Sequence, residues 1–374
     1  MSKHQIRQII TLGFVVIFAV VLYVVNKVQP TELMNNEGRT FEKAVVTQIV
    51  QDNLQESGNR VGQQQVKLKL LTGSHKGQTV DAVSSSSYLY GADCTMGLKI
   101  IANVSEYNGS ITASVYNYDR GNILYGIVIF FLAVLWLIGG RKGFNSAVGL
   151  VFTFVCIVFL FLPLIYRGVS PILAAVLIVV IITVVVLYLI DGITKKSVCA
   201  IAGTVMGVVI SALFAWIFGK ISHISGENVS DIENLMYIGQ VTNIEVGELM
   251  FAGILIAALG AVMDVAMSVA STVSEIHDKN TDLSRRELFA SGLNVGKDMM
   301  GTMSNTLILA FTGGSINTLV YIYSYRYNYY QVLNMYSIGI EVIQGISATL
   351  GVVLTVPLVA FLTSWLIKSK NVNS

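Results

Sequence analysis

Long apolar runs restrict most strongly what this chain can fold into. Between residues 121 and 218, four runs of 20 to 24 residues rich in Val, Ile, Leu and Phe are separated only by short polar breaks. About 20 apolar residues are enough for a helix to cross the hydrocarbon core of a bilayer. Only 12% of the residues are charged, against about 25% in a soluble domain. The sequence therefore predicts a polytopic membrane protein embedded in a lipid bilayer.

Eight transmembrane helices account for all the apolar runs, so the predicted fold class is an all-α polytopic membrane protein that also carries a small β-rich domain. The first run follows Lys3, His4 and Arg7, and no small-residue cleavage motif follows it, which favours an uncleaved anchor over residues 1–29. The remaining seven spans form a membrane domain over residues 121–374. The predicted spans are 9–25, 121–140, 143–166, 169–190, 198–218, 246–274, 299–323 and 336–367.

Residues 30–120 differ in kind, because they are polar and contain short alternating segments bounded by glycines. Asn108-Gly109 between two such segments is a strong signal for a tight hairpin. Five short strands in fewer than 90 residues favour a small barrel, either OB-like or SH3-like. The predicted strands are 43–50, 64–71, 78–83, 98–104 and 111–116.

The distribution of Lys and Arg between the loops predicts the orientation, because cytoplasmic loops carry the excess of positive charge. Alternate loops hold Arg141 with Lys142, Lys195 with Lys196, and the charged segment 275–297, and the chain ends with Lys368 and Lys370. The other short loops contain few cations. Both termini are therefore expected in the cytoplasm, with residues 30–120 extracytoplasmic and the chain in the cell membrane.

An acidic residue interrupts the apolar run of the sixth span. At about 100° per residue, one face of this helix is small, polar and acidic. A charge at mid-bilayer costs at least about 2.5 kcal/mol, so such a carboxylate is by default a functional-site hypothesis. The alternative is a neutral carboxyl that only holds helices together. The face comprises Gly253, Ala257, Gly260, Asp264, Ser268, Ser271 and Glu275.

The seventh and eighth spans supply possible partners. Gly313-Gly314 is expected to break the seventh span, and broken spans in transporters expose groups that bind ions or substrates. We expect Asp264 to lie with Ser268, Thr302 and Asn305. Glu341, Gln344 and Asn317 are expected to line an outer vestibule. The predicted ion- or substrate-binding residues are Asp264, Ser268, Ser271, Thr302, Asn305, Asn317, Glu341 and Gln344.

Several functional classes are not supported by the sequence. It contains no HExxH or GxSxG motif, so an enzyme is not expected. The three cysteines have no CxxC spacing and the four histidines are scattered, so no metal or other cofactor is expected either. No basic cluster with interleaved aromatics is present, which argues against a nucleic-acid partner.

Two segments resemble a known family. GAVMDVAMSVASTVSEI at residues 260–276 and SGLNVGKDMMGTMSNTLILAFTGGS at residues 291–315 are similar to the YibE/F-like multipass membrane proteins of bacteria. The resemblance extends from the anchor to the eighth span. It implies a bacterial plasma-membrane protein that is often one of a pair, so a paralogous YibE/F-like subunit or a second copy is a candidate partner. It implies no substrate and no binding residues.

Three functions remain open at this point. The first is a membrane transporter or transporter subunit, ion- or proton-coupled through an intramembrane carboxylate. The second is a permease subunit driven by a separate ATPase, with residues 283–293 as a coupling helix; the chain has no GxxxxGK[ST] loop of its own. The third is a membrane scaffold that presents the extracytoplasmic domain as a binding surface.

Overall fold

The structure is a computed structural model that describes residues 16–27, 38–56, 58–85, 90–107, 109–192, 194–229 and 232–368. The chain divides into two compact units, residues 32–134 and residues 1–31 with 135–374. Residues 1–15 and 28–29 of the predicted anchor lie outside the described residues. Val16–Val25 of that anchor form a short apolar helix, α1.

The first unit contains a closed five-stranded barrel with the strand order β1-β2-β3-β5-β4. Neighbouring strands are antiparallel except β3 and β5, which are parallel. All five predicted strands are confirmed, with ends shifted by a few residues. The predicted hairpin is also present: Tyr107 pairs with Ser110, and Gly109 has a φ of 76°. The strands are β1 (Arg39–Gln51), β2 (Gln64–Leu70), β3 (Thr79–Ser84), β4 (Lys99–Tyr107) and β5 (Ser110–Tyr118).

Alternation along the strands builds the barrel core, since every second side chain of a strand points to the same face. In β2, Gln64, Val66, Leu68 and Leu70 are all buried. The Gln64 amide is stable at this inward position because it hydrogen-bonds the backbone of Cys94, a residue that lies outside the strands. Its Nε2 donates to the Cys94 carbonyl at 2.9 Å, and its Oε1 accepts from the Cys94 backbone N–H at 2.9 Å.

The second unit is built mainly from long helices that pack side by side. The helix α2 begins before this unit, at Gly121, and a short π-helical stretch joins it to α3. The helices after α1 are α2 (Gly121–Cys156), α3 (Leu162–Tyr166), α4 (Pro171–Asp191), α5 (Lys195–Ser222), α6 (Ile232–Val241), α7 (Val246–Lys279), α8 (Arg285–Gly314), α9 (Ile316–Ser324), α10 (Tyr329–Leu333) and α11 (Tyr336–Lys368).

Within the described residues, five helices are long and apolar enough to cross a membrane, and a sixth span results if α8 and α9 count as one. The continuous segment Gly121–Tyr166 is one of the five, although Gly140 interrupts it with a φ of 55° and a ψ of −131°. The rings of Trp136 and Phe144, each four residues from Gly140, lie 5.9 Å apart, which shows that the chain turns sharply there. These features are consistent with a membrane protein, and the count of eight spans stays a prediction.

Glycines allow the central helices to approach closely, as the small-residue spacing of the fifth predicted span indicates. The helix α11 packs against α5, α7 and α8. Gly203 of α5 lies against Val359, and Gly207 lies against Thr355, so that a Cβ at either position would collide with α11. Gly296 of α8 lies against Val356 in the same way. The core of the bundle is thus α11 with α5, α7 and α8 around it.

Candidate functional site

The helix α7 presents its polar stripe away from the packed bundle. Its apolar faces supply fourteen buried residues, from Val246 to Val273, which pack inside the unit. Asp264 is exposed on the opposite side, as are Ala257 and Gly260. A Cβ added at Gly253 or Gly260 would meet nothing within 4 Å. The predicted stripe is therefore present on one face, and that face is open within the single chain.

The predicted companions of Asp264 are not brought into contact with it. Thr302 and Asn305 are exposed on α8, and the Thr302 hydroxyl donates to the Asp298 carbonyl at 3.2 Å. Ser268 is half-buried on α7 one turn from Asp264. Across the residues that the structure describes, Asp264 forms no hydrogen bond and no ion pair. A pocket around Asp264 thus remains a prediction and is not assembled by contacts in this chain.

A different carboxylate lines a cavity where the seventh predicted span breaks. The predicted break is confirmed, because α8 ends at Gly314 and α9 leaves at 61° to it. A cavity of about 290 Å³ lies between this bend and α11. Its polar lining is Glu341 from α11, about one and a half turns after that helix begins, together with Thr312 and Ser315 from the bend.

Ser315 is the unusual member of this lining. Its side chain is only 8% exposed, and its hydroxyl has no hydrogen-bond partner among the described residues. Buried polar groups are nearly always hydrogen-bonded, so each exception asks for an explanation. The Thr312 hydroxyl donates to the Ile308 carbonyl at 2.7 Å, which leaves its oxygen free to accept. Glu341 is half-buried and pairs with no cation in the described part of the chain. The cavity thus presents a carboxyl group that has no cationic partner in the described residues, together with hydroxyl oxygens that are free to accept.

Sequence reasoning identified Glu341 but not the residues beside it. Asn317 is exposed on α9 and Gln344 is half-buried on α11, and neither lines this cavity. Thr312 and Ser315, which were not among the predicted binding residues, line it instead. The Gly313-Gly314 pair could have pointed to Thr312 and Ser315, because residues beside a broken span often line a binding site.

A second cavity, of about 580 Å³, lies at the end of α7 that is nearest Lys279. Ser271, the remaining predicted site residue, lines it together with Glu275 from the same predicted face, and sequence reasoning did not group the rest of the polar wall with them. Much of that wall is already paired: Lys196 binds Asp191 at 3.2 Å, and Lys195 Nζ donates to the Ile367 carbonyl at 3.3 Å. The other polar residues in this wall are Thr194, Ser274, Glu275, His277 and Asp278.

Metal binding finds no support in the side-chain clusters. In the described ranges, no group of three or more His, Cys, Asp or Glu residues is arranged to hold a metal ion. Among the described residues, Glu341 is the only acidic one in the wall of the 290 Å³ cavity. The chemistry open to that cavity is therefore recognition of a positive charge by one carboxylate and two hydroxyls.

Comparison with known proteins identifies the family. The family model described as YibE/F-like protein matches residues 127–369, well over half of the chain. No curated protein and no solved structure matches the chain. The matched region contains the helices from α4 to α11, with the break at Ser315 and the carboxylates of Asp264 and Glu341. The chain belongs to the YibE/F-like protein family.

Proposed function

We propose that the protein is a membrane transporter or transporter subunit, ion- or proton-coupled through an intramembrane carboxylate. The observation that carries the proposal is the cavity at the bend between α8 and α9. There the half-buried carboxylate of Glu341 and the unpartnered hydroxyl of Ser315 line one space. Broken spans with free polar groups are the usual place where transporters bind their ions and substrates.

The proposal includes a membrane arrangement. The protein would lie in the bacterial cell membrane with eight spans, both termini in the cytoplasm and the barrel outside. The sharp turn at Gly140 supports counting Gly121–Tyr166 as two spans, and α1 supports an N-terminal span. The strand order β1-β2-β3-β5-β4, with β1 closing onto β4, supports an OB-like barrel.

Asp264 has a separate part in this proposal. An exposed carboxylate on a spanning helix is unfavourable against lipid, and the open positions at Gly253 and Gly260 leave room for another helix to approach. A second copy or a paralogous YibE/F-like subunit would cover this stripe, so the functional unit would be an assembly. Asp264 would then act beside Thr302 and Asn305 as a second coupling position.

The two alternatives have less support. An ATPase-driven permease needs a coupling helix, but residues 283–293 are largely the first turns of the continuous helix α8, whose Gly292 packs against Val273 and Ala360. A scaffold that presents the barrel has no use for a charged cavity inside the helical unit. Nor do we propose an enzyme, since the described lining of the cavity contains no histidine, cysteine or lysine, and neither hydroxyl is hydrogen-bonded to the Glu341 carboxylate.

The test is charge movement in reconstituted vesicles. Solid-supported-membrane electrophysiology records the charge displaced when a coupling ion binds, even where the transported substrate is unknown. We expect a transient current after a proton or Na⁺ concentration jump in the wild-type protein, and its loss in Glu341→Gln. Glu233→Gln is the matched control, because Glu233 is an exposed glutamate of α6 outside the cavity. Equal currents in wild type and Glu341→Gln, or none in wild type for either ion, would refute the coupling role.

A further inference from the structure

The walls of the Glu341 cavity are mostly hydrocarbon. Its apolar lining comes from α8, α9 and α11 and consists of Ile308, Phe311, Leu319, Ile338, Val342 and Ile346. Water is stable in a cavity only where several polar groups bind it. A space of about 290 Å³ would hold roughly ten waters at about 30 Å³ each, with only three polar side chains to bind them. The occupant therefore needs an apolar body.

The polar groups of the cavity define the other end of that occupant. Glu341 brings one negative charge, and no cationic side chain lines the cavity in the described residues. The Thr312 hydroxyl already donates a hydrogen bond to the Ile308 carbonyl, so its oxygen is left to accept one. Ser315 has no partner. A half-buried carboxylate without a cation from its own chain is strongly stabilised by a hydrogen-bonded positive partner. Three acceptor groups match the three N–H bonds of a primary ammonium.

An inorganic cation fits less well. Divalent hard cations such as Ca²⁺ take six to eight oxygen ligands, and this cavity offers one carboxylate and two hydroxyls among its side chains. A bare ion would also leave most of the volume to water against aliphatic walls. Phe311 also lines the cavity, and an aromatic ring can make a favourable cation–π contact with an organic cation when the cation is desolvated.

We propose that the cavity lined by Glu341, Ser315 and Thr312 binds a small primary ammonium cation with an apolar body. Its volume lies just below the range of about 300–1,000 Å³ typical of small-molecule pockets, which favours a compact ligand such as an arylalkyl- or alkylamine. The inference rests on the proposed function, because it names the substrate class of the same site.

The experiment measures binding to the purified full-length protein by isothermal titration calorimetry, with titration into empty detergent micelles subtracted. The probe is 2-phenylethylammonium. Its uncharged analogue 2-phenylethanol tests the charge, its N,N,N-trimethyl derivative tests the N–H donors, and Na⁺ tests an inorganic ion. We expect the primary ammonium to bind at least about tenfold more tightly than each of the other three, because hydrogen bonds to charged groups are the strong ones.

Two variants separate the site from general folding. Glu341→Gln keeps the size of the side chain and is expected to weaken binding of the ammonium probe at least about tenfold. Gly345→Val narrows the cavity without replacing its polar groups. A Cβ at Gly345 meets only Phe311, at 3.9 Å, and the larger side chain is expected to exclude the probe. Glu233→Gln, in α6, should bind as the wild type does.

The outcomes distinguish this inference from the proposed function. Absence of probe binding to the wild type, equally tight binding of 2-phenylethanol or Na⁺, or unchanged binding in both Glu341→Gln and Gly345→Val would overturn the ammonium site. Ion-jump currents without probe binding would contradict the ligand class and leave transport standing. Selective probe binding without any charge movement would support the site and contradict ion-coupled transport.

Discussion

Gly207 of α5 lies so close to Thr355 of α11 that no Cβ fits between the two helices. The Thr355 hydroxyl donates to the Gly351 carbonyl at 2.6 Å, and Gly351 in turn lies against Ser211 of α5. Small residues thus alternate across this contact, and each one makes room for its neighbour. In lipid, such close packing replaces the hydrophobic effect as the force that holds helices together.

The first prediction compares a glycine in a tight helix contact, Gly207, with a glycine on an open helix face, Gly253. Gly207→Leu should destabilise the bundle by about 1–3 kcal/mol or more, the usual cost of overpacking. Gly253→Leu should change stability little, because nothing lies within 4 Å of its Cβ position. Thermal unfolding of the purified protein, followed by tryptophan fluorescence, measures both. If Gly253→Leu lowered the midpoint as much as Gly207→Leu, the stripe of α7 would be packed in the isolated chain after all.

The same contrast explains what the sequence could predict about the helices. Periodicity grouped Gly253, Gly260 and Asp264 on one face correctly, since residues three and four apart share a helix face. It could not tell whether that face points inward, because lipid and the protein interior are equally apolar and both accept Leu, Ile and Val. The pocket expected between Asp264 and Asn305 depended on that unknown direction. The break at Gly313-Gly314 was predictable because it is a local property of the backbone.

The barrel was easier to predict for the opposite reason. One side of each strand faces a protein core and the other faces solvent, so the alternation in β2 marks the inside directly. The exception is Gln64, a polar residue at an inward position. Two of its three hydrogen bonds join it to Cys94, 30 residues away in the chain, and no local pattern reveals such a pairing.

Gln64 gives the second prediction. Gln64→Leu preserves the approximate volume but leaves the N–H and the carbonyl of Cys94 without their partner in the barrel core, which costs about 1–3 kcal/mol per unsatisfied buried group. Hydrogen exchange of peptides that cover β2 and residues 90–98 in the full-length protein should become faster. Gln65→Leu is the matched control, because Gln65 is exposed on the same strand. Unchanged exchange in Gln64→Leu would mean that the two bonds contribute nothing net.

The third prediction concerns acid stability of the barrel. A hydrogen bond from Arg60 at 2.6 Å lowers the pKa of the Asp52 carboxyl below its usual value. The unfolded chain therefore binds this proton more readily than the folded barrel does. The ionised pair stabilises the barrel above the unfolded pKa of about 3.9, and this contribution is lost as the pH falls through the lowered pKa of the folded state.

Asp52→Asn should accordingly make the barrel less stable at neutral pH and less sensitive to acid. Hydrogen exchange of β1 and β2, corrected for the intrinsic exchange rate and followed from pH 7 to pH 3, measures the difference. Asp81→Asn serves as the control, because the Asp81 side chain is 86% exposed and lies 4.0 Å from its cation, Lys67, a geometry that contributes little. An acid profile of Asp52→Asn that matches the wild type would show that the pair does not couple stability to pH.

The last prediction tests the orientation in the membrane by cysteine labelling. The three native cysteines, Cys94, Cys156 and Cys199, are buried, and burial raises the pKa of the Cys94 thiol, so the native background should be low. Ser74 lies in the exposed turn between β2 and β3, and Asn280 lies exposed between α7 and α8. Because the loop charges predict the barrel outside, a membrane-impermeant maleimide should label Ser74→Cys in intact cells. Asn280→Cys should react only after the membrane is permeabilised. Labelling of Asn280→Cys but not Ser74→Cys in intact cells would reverse the proposed orientation. Labelling of both would place the barrel and the α7–α8 loop on the same side of the membrane, and would contradict the five spans predicted between them.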